Sequence, residues 1–293
     1  MDKARLNIGF IGIGALGKGL ALALAARGYR VRAAYSRSLA SARWLADRVD
    51  HCQAVTSAQL LADVCDLVFI TTPDAVIGEV AGQVRWQAGQ GVVHCSGAAP
   101  AAILQGAQQQ GAVAGAFHPF QTFAGLEQPE EAAERLEGVT FAVSARGWLE
   151  PFLADLAREL GGRPVAIADA DRPLYHASAV LGCGYLAALL HAALEPWRVM
   201  GFTERQAIDA LYPLARVTLE NISRHGVLAS VTGPVARGDT GTVQAHLAAL
   251  AERLPHLVPL YTALAAASLP LAAGAAIDDH RLADLQQLID HYR

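Results

Sequence analysis

Three glycines, Gly12, Gly14 and Gly17, stand in the spacing GxGxxG directly after an apolar run, Asn7–Ile13, and at the head of an Ala- and Leu-rich segment, Ala15–Arg27. That context restricts the fold more than any other feature of the chain. A strand that turns sharply on Gly12 into a helix starting at Ala15 and Leu16 leaves backbone N–H groups and the positive end of the helix dipole facing one point. Gly12 permits the tight turn, Gly14 admits a pyrophosphate to the backbone, and Gly17 lets the helix pack closely on the strand. The pattern therefore predicts a dinucleotide site built from Gly12, Gly14, Ala15, Leu16 and Gly17.

The rest of the first half repeats the same strand–helix alternation. Arg30–Tyr35, Asp66–Thr71, Gly91–Cys95, Ala112–Phe117, Val139–Val143 and Pro164–Ile167 read as further strands, several of them continuously apolar as expected for strands buried on both faces. Leu39–Val49 and Trp148–Leu160 read as helices between them. After Asp171 the period becomes helical, in segments near 172–200, 203–225, 240–254, 257–272 and 278–292. The predicted architecture is α/β, a Rossmann-type doubly wound parallel sheet over residues 1–170, followed by an all-α domain over residues 171–293.

Composition excludes several classes of partner. The formal net charge is −4 with no run of like charges, which argues against nucleic acid and against an anionic membrane surface. Three stretches lack Asp, Glu, Lys and Arg: Trp86–Leu126, Pro173–Leu194 and Pro255–Ile277. The first is broken by Gly and Pro. The other two carry His, Tyr, Ser or Thr and suit helices buried between domains or subunits better than helices in lipid. The length and apolar character of Pro255–Ile277 predict a homodimer. Cys52, Cys65, Cys95 and Cys183 have no metal-ligand spacing, so no metal is expected and the thiols read as buried and free in a reducing, cytoplasmic compartment. The N-terminus reads as a first strand rather than a signal peptide.

Cofactor choice is read at the end of the second strand, where an NAD enzyme places an acid against the ribose hydroxyls. Here the chain has Ser36-Arg37-Ser38 and no acid. A forked guanidinium between hydroxyls suits a 2′-phosphate, which predicts NADP. Ser38 is equally placed to cap the following helix. Thr72 and Pro73, after the strand Asp66–Thr71, fall at the sheet edge where cofactors lie.

Hydride transfer to a carbonyl or imine also needs a proton donor. His118, at a strand's C-terminal end before Pro119, is placed for that role, with Ser96 at the end of a neighbouring strand to orient it or to bind substrate. His94, inside its strand, is read as structural rather than functional. In the helical half, His176 and Cys183 share a helix face, and Gly182 and Gly184 in mid-helix suggest close approach of a ligand or another helix. Arg237, in the loop TGPVARGD, is a candidate anchor for a substrate carboxylate, with Asp239 or Thr240 as the cap of the next helix.

The segments GIGALGKGLALALAARGYRV, YSRS, DLVFITTPD, VVHCSG, FHPFQTF, DRPLYHASAVL, LEN and TGPVARGD, in this order, resemble bacterial Rossmann-like proteins that carry a DUF2520 C-terminal domain. The resemblance spans essentially the whole chain. It implies a plan similar to 6-phosphogluconate dehydrogenase-like enzymes, including ketopantoate and pyrroline-5-carboxylate reductases. Ser96 and His118 also resemble the paired Ser and His-Pro of prephenate dehydrogenases, which implies a catalytic role for His118. Two departures bear on substrate. The pattern reads Ser-Asn-Tyr or Ser-Asn-Phe where this chain has Cys183-Gly184-Tyr185, and the lysine of ketopantoate reductases has no counterpart, since Lys occurs only at Lys3 and Lys18. The expectation is an NADP-dependent oxidoreductase for a small carbonyl, hydroxy acid or imine, with a ketopantoate-type 2-keto acid as the first substrate to assay. A non-catalytic NADP-binding protein and a deazaflavin-dependent oxidoreductase are the alternatives.

Overall fold

In the computed structural model, which describes residues 6–128, 130–273 and 277–293, the apolar runs of the first half become one sheet. Its strands are β1 (Asn7–Ile11), β2 (Arg30–Tyr35), β3 (Gln53–Ala54), β4 (Leu67–Ile70), β5 (Gly91–His94), β6 (Val113–Pro119), β7 (Thr140–Ala145) and β8 (Arg163–Ala166). Their spatial order is β3-β2-β1-β4-β5-β6-β7-β8. Strands β4 and β5 are buried along their whole length, as continuous apolar runs in a sheet covered on both faces should be. Phe10, Phe69, Phe117 and Phe141 fill one face beneath the helices Ala15–Ala26 and Leu149–Glu159. Ile11, Val68, Ile70 and Val92 fill the other.

The first six strands run parallel, but β6 and β7 pair antiparallel, with His118 opposite Ala142. Parallel neighbours need a crossover that returns the chain to the starting edge, usually a helix. Among its described residues the link between β6 and β7 contains only the four-residue helix Glu131–Glu134, so the chain turns back instead. The helix Leu149–Glu159 then restores a parallel pair, β7 with β8. The two-residue strand β3 is too short to leave a periodic signature and was not expected from the sequence.

The helical half contains Arg172–Gly182, Gly184–Val199, Glu204–His225, Thr240–Arg253, Val258–Ala273 and Asp279–His291 as its long helices. The segment expected as one helix over 172–200 is interrupted at Cys183, whose φ of −124° and ψ of −75° are not helical. This break leaves Cys183 exposed, whereas Cys52, Cys65 and Cys95 are buried as expected, and all are free thiols. The chain divides into two compact units, Met1–Cys183 and Gly184–Arg293. The helix Arg172–Gly182 thus groups with the sheet, to which Arg172 is tied by hydrogen bonds. In the second unit Val243, Leu247, Val258 and Leu285 form a core. By contrast, Gly184–Val199 buries only Leu194 and Glu204–His225 only Ala207. Among the described residues one helical stretch, Asp169–Val199, is long and apolar enough to cross a membrane, with a mean hydropathy of 1.7.

Candidate active site

The strand order reverses at β1, whose chain continues to β2 on one side while β4 lies on the other, and a crevice opens beyond the carboxyl ends of these strands. A cleft of about 660 Å³ occupies it, lined by Gly12, Gly14, Ser36, Arg37, Thr72 and Pro73 among others. Each glycine has a distinct physical reason. Gly12 has φ +95°, and a Cβ there would lie 2.8 Å from the Thr72 backbone nitrogen. A Cβ on Gly17 would run into the Gly12 carbonyl and lie 2.6 Å from Thr71 Oγ1, the hydroxyl that donates to that same carbonyl. A Cβ on Gly14 would meet nothing within 4 Å, so the space beside it is open.

These surroundings fit a dinucleotide. The helix Ala15–Ala26 begins with neither a capping side chain nor an acid in its first turn, which leaves its N–H groups for an anion. Thr72 Oγ1 is buried without a hydrogen-bond partner among the described residues. Arg37 reaches the cleft, and no carboxylate among the described residues pairs with it. Ala15 and Leu16 stand in the first turn of the helix, Leu16 partly packed on the core. Ser38 caps the helix Leu39–Ala46 by accepting from Ser41 N at 3.4 Å.

The loop after β4 continues from this cleft to a second polar group. Thr72 and Pro73 line the cleft, and Asp74, the next residue, accepts a 2.5 Å hydrogen bond from Ser96 Oγ. Ser96 Oγ in turn accepts from Ala99 N, and Ser96 N donates to His94 Nδ1. His94 is wholly buried with Nε2 3.2 Å from the Pro100 carbonyl oxygen, so it ties the β5 loop together as the structural reading expects. Burial, reinforced by the Arg172 charge, pushes its imidazole down to about 4.

His118 closes β6 beside this loop. A Cβ on Gly97 would come within 2.9 Å of His118 Nε2 and 2.8 Å of His176 Cδ2, so both imidazoles lie against the bare Gly97 backbone. The partner of His118 is Tyr175, whose hydroxyl oxygen stands 2.7 Å from Nδ1. The hydroxyl of Ser96, expected to orient His118, is taken up by Asp74 and Ala99 instead. Burial, with the charge of Arg172 next in importance, pushes the His118 imidazole down to about 4. At neutral pH the ring is therefore uncharged, and the near-neutral titration expected of a proton donor is not what this environment gives.

Arg172 holds the assembly in place. It is fully buried, donates from Nη1 to the Ser96 carbonyl at 2.9 Å and from Nε to Ser144 Oγ at 3.1 Å, and lies 3.8 Å from Asp169. Asp169 accepts from the backbone nitrogens of Ala101 and Ala102. Asp74, Arg172 and Tyr175 were not singled out from sequence. The available signals were an arginine bordering a charge-free stretch before Pro173, and an aromatic hydroxyl next to His176.

Gly184 and Arg237 belong to the other compact unit. A Cβ on Gly182 or on Gly184 would meet nothing within 4 Å, so neither glycine is explained by a close approach within the chain. Arg237 is exposed at the end of the short 3-10 turn Val235–Arg237, and Asp239 caps the helix Thr240–Arg253 through Thr242 N at 3.0 Å. Among the described residues no group of three His, Cys, Asp or Glu could hold a metal ion.

Residues 1–119 match the Rossmann-like domain family, and residues 139–268 match the family described as a domain of unknown function, DUF2520. The chain has the Rossmann-like/DUF2520 architecture. The DUF2520 match begins at β7, so this region includes the reversed edge of the sheet as well as the helices. A solved Thermotoga maritima protein is 24% identical, covering 91% of this chain and 98% of its own, with a TM-score of 0.73. A Bacteroides fragilis protein, provisionally named an NADP oxidoreductase, is 25% identical with coverages of 91% and 98% and a TM-score of 0.71. A reductive aminase from Aspergillus terreus, solved with NADPH and ethyl levulinate, is 16% identical with coverages of 98% and 99% and a TM-score of 0.64. The fold is one used by NADP(H)-binding oxidoreductases. No protein of curated function matches the sequence.

Proposed function

We propose that this Rossmann-like/DUF2520 protein is an NADP-dependent reductase or dehydrogenase of a small carbonyl compound, hydroxy acid or imine. The observation that carries the reading is the loop Thr72–Asp74. Its first two residues line the cleft at β1 and β4 and its third accepts from Ser96, the neighbour of the Gly97 backbone against which His118 lies, which supports a hydride acceptor bound between the two. Gly12, Gly14, Ala15, Leu16 and Gly17 would hold the pyrophosphate, Ser36 and Arg37 the 2′-phosphate, and Thr72 and Pro73 the adjoining ribose side. When bound, NADPH supplies the hydride.

The chain's own part is to orient the acceptor and handle the proton. A neutral His118 can hydrogen-bond the substrate oxygen or nitrogen as charge develops there, which is how a buried, uncharged imidazole assists without an imidazolium. His176, which lies against the same Gly97 backbone, would complete the wall around the reacting group.

A homodimer accompanies this reading. The helices Gly184–Val199 and Glu204–His225 bury one residue each in their own chain, too little to hold isolated helices together. Tyr185 is 62% exposed, Tyr212 64% and Leu214 66%. A second copy of the chain is the occupant we assign to these faces. Residence in a reducing, cytoplasmic compartment is supported by the buried thiols Cys52 and Cys65, which burial pushes up to about 11 and about 12.

The test is a panel of 2-keto acids and cyclic imines, with a ketopantoate-type acid first, followed by NADPH absorbance. Turnover is expected, and His118→Ala should lower it by ~10²–10⁴-fold with NADPH affinity within a few-fold. Tight NADPH binding without turnover on any member would favour a cofactor-binding sensor, the reading that the bare Gly184 position supports.

A further inference from the structure

We propose that Tyr175 and His118 form a proton relay, in which the phenol refills the imidazole as the imidazole protonates the reduced substrate. The inference rests on the oxidoreductase reading and deepens it. The two side chains come from β6 and from the helix Arg172–Gly182, and meet with 2.7 Å between the Tyr175 oxygen and His118 Nδ1. The rings stand edge to face, 5.6 Å between centroids, and Phe120 packs on the phenol at 5.1 Å.

The direction of this hydrogen bond follows from its partners. Phenol is a better acid than imidazole N–H, and an imidazole nitrogen is a better base than a phenol oxygen, so Tyr175 donates to Nδ1. The neutral ring then carries its own hydrogen on Nε2, the nitrogen that lies over Gly97. No protein acceptor for Nε2 is found among the described residues, which leaves that N–H for a ligand.

The groups around the ring explain why a relay is required. Arg172, His176 and His94 oppose its protonation and Asp74 favours it, and with burial the net result is a neutral imidazole. Tyr175 is likewise held protonated by burial, pushed up to about 12, against the pull of Arg172. A neutral imidazole can release its Nε2 proton readily only if Nδ1 gains one in the same event. In the balanced step, a carbonyl carbon accepts hydride and its electron pair from NADPH, and the π pair moves to oxygen. That oxygen takes the proton of Nε2, Nδ1 takes the proton of Tyr175, and the tyrosinate is left within reach of the Arg172 charge until solvent protonates Nε2 and Nδ1 returns its proton to the phenolate. Tyr175 acts on the substrate only through His118 and is a positioning residue: it fixes the tautomer of His118 and supplies its Nδ1 proton.

The experiment is ¹⁵N NMR of the full chain labelled in histidine, with His118 identified by the resonance lost in His118→Gln. The wild type is expected to show a neutral Nε2–H ring at pH 7, with Nδ1 shifted as a hydrogen-bond acceptor. In Tyr175→Phe the Nδ1 resonance should move downfield to the unbonded position. An Nδ1–H tautomer in the wild type would overturn the relay, and so would an unchanged Nδ1 resonance in Tyr175→Phe. On any substrate the panel yields, Tyr175→Phe should lower kcat on the order of 10²-fold with little change in KM; an unchanged kcat would likewise overturn it. Absence of turnover across the panel counts against the oxidoreductase reading alone, because the NMR result requires no substrate.

Discussion

The sharpest probe of the site is a single methyl group placed at Gly97. The backbone there is not in the left-handed region, so Gly97→Ala adds a Cβ without imposing conformational strain. That carbon would lie 2.8 Å from His176 Cδ2, 2.9 Å from His118 Nε2 and 3.0 Å from His118 Cε1. Ordinary contact requires about 3.5–4.0 Å, so each ring must retreat by roughly 0.5–1 Å. His118 has little room to comply, because Nδ1 is held 2.7 Å from the Tyr175 oxygen. Overpacking of this kind costs about 1–3 kcal/mol, and loosening the Tyr175 bond adds ~0.5–1.5 kcal/mol. A displacement near 1 Å at a reacting group lowers turnover by ~10²-fold. Urea unfolding should therefore show a loss in the lower end of that range, and kcat on a panel substrate should fall on the order of 100-fold. NADPH affinity by calorimetry should stay within a few-fold, since the cleft at β1 and β4 is untouched. A folded variant with wild-type stability and wild-type kcat would refute the argument that Gly97 seats the two imidazoles.

Three further outcomes are expected. Arg37→Ala should remove most of an NADPH-over-NADH preference that a charge-assisted bond of ~1.5–3 kcal/mol sets at roughly 10- to 150-fold; equal wild-type affinities by calorimetry would end that assignment. His94 and His118 both titrate near 4 in the folded chain, below the ordinary 6.5 of the unfolded one. The unfolded state therefore takes up protons first: stability is full above pH 6.5 and falls from there towards pH 4, by about 1.4 kcal/mol per pH unit for each ring. Urea midpoints that stay level from pH 7 to 4.5 would contradict the burial of these imidazoles. Light scattering at micromolar concentration should give the mass of a dimer, and a monomer mass would leave the faces of Gly184–Val199 and Glu204–His225 without the assigned occupant.

What could be read from the sequence was local. The glycine turn, the acid-free end of β2 and the buried strands are each specified within a few residues, and they stand where periodicity and spacing put them. The reversal at β7 was not legible, because alternation of apolar residues carries no direction; only the missing crossover helix between β6 and β7 does. The helix break at Cys183 was signalled by its flanking glycines but read as close packing. His118 was singled out from its place at a strand end, whereas its hydrogen-bond partner lies 57 residues away and Ser96 serves Asp74, 22 residues before it. Such pairings depend on which strand edge meets which helix, and a linear pattern holds no record of that.

The seat of Arg172 has a consequence for exchanging parts between proteins of this architecture. The segment Asp169–His176 lies past the last strand, yet it supplies the guanidinium that grips the Ser96 carbonyl, the carboxylate that caps Ala101, and the phenol on His118. A chimera joined where the strands end would inherit the whole cleft at β1 and β4 together with a foreign set of these contacts. A graft meant to keep these contacts should instead be spliced at Cys183, where the helix is already interrupted and the recipient sheet keeps the short segment that completes its own edge.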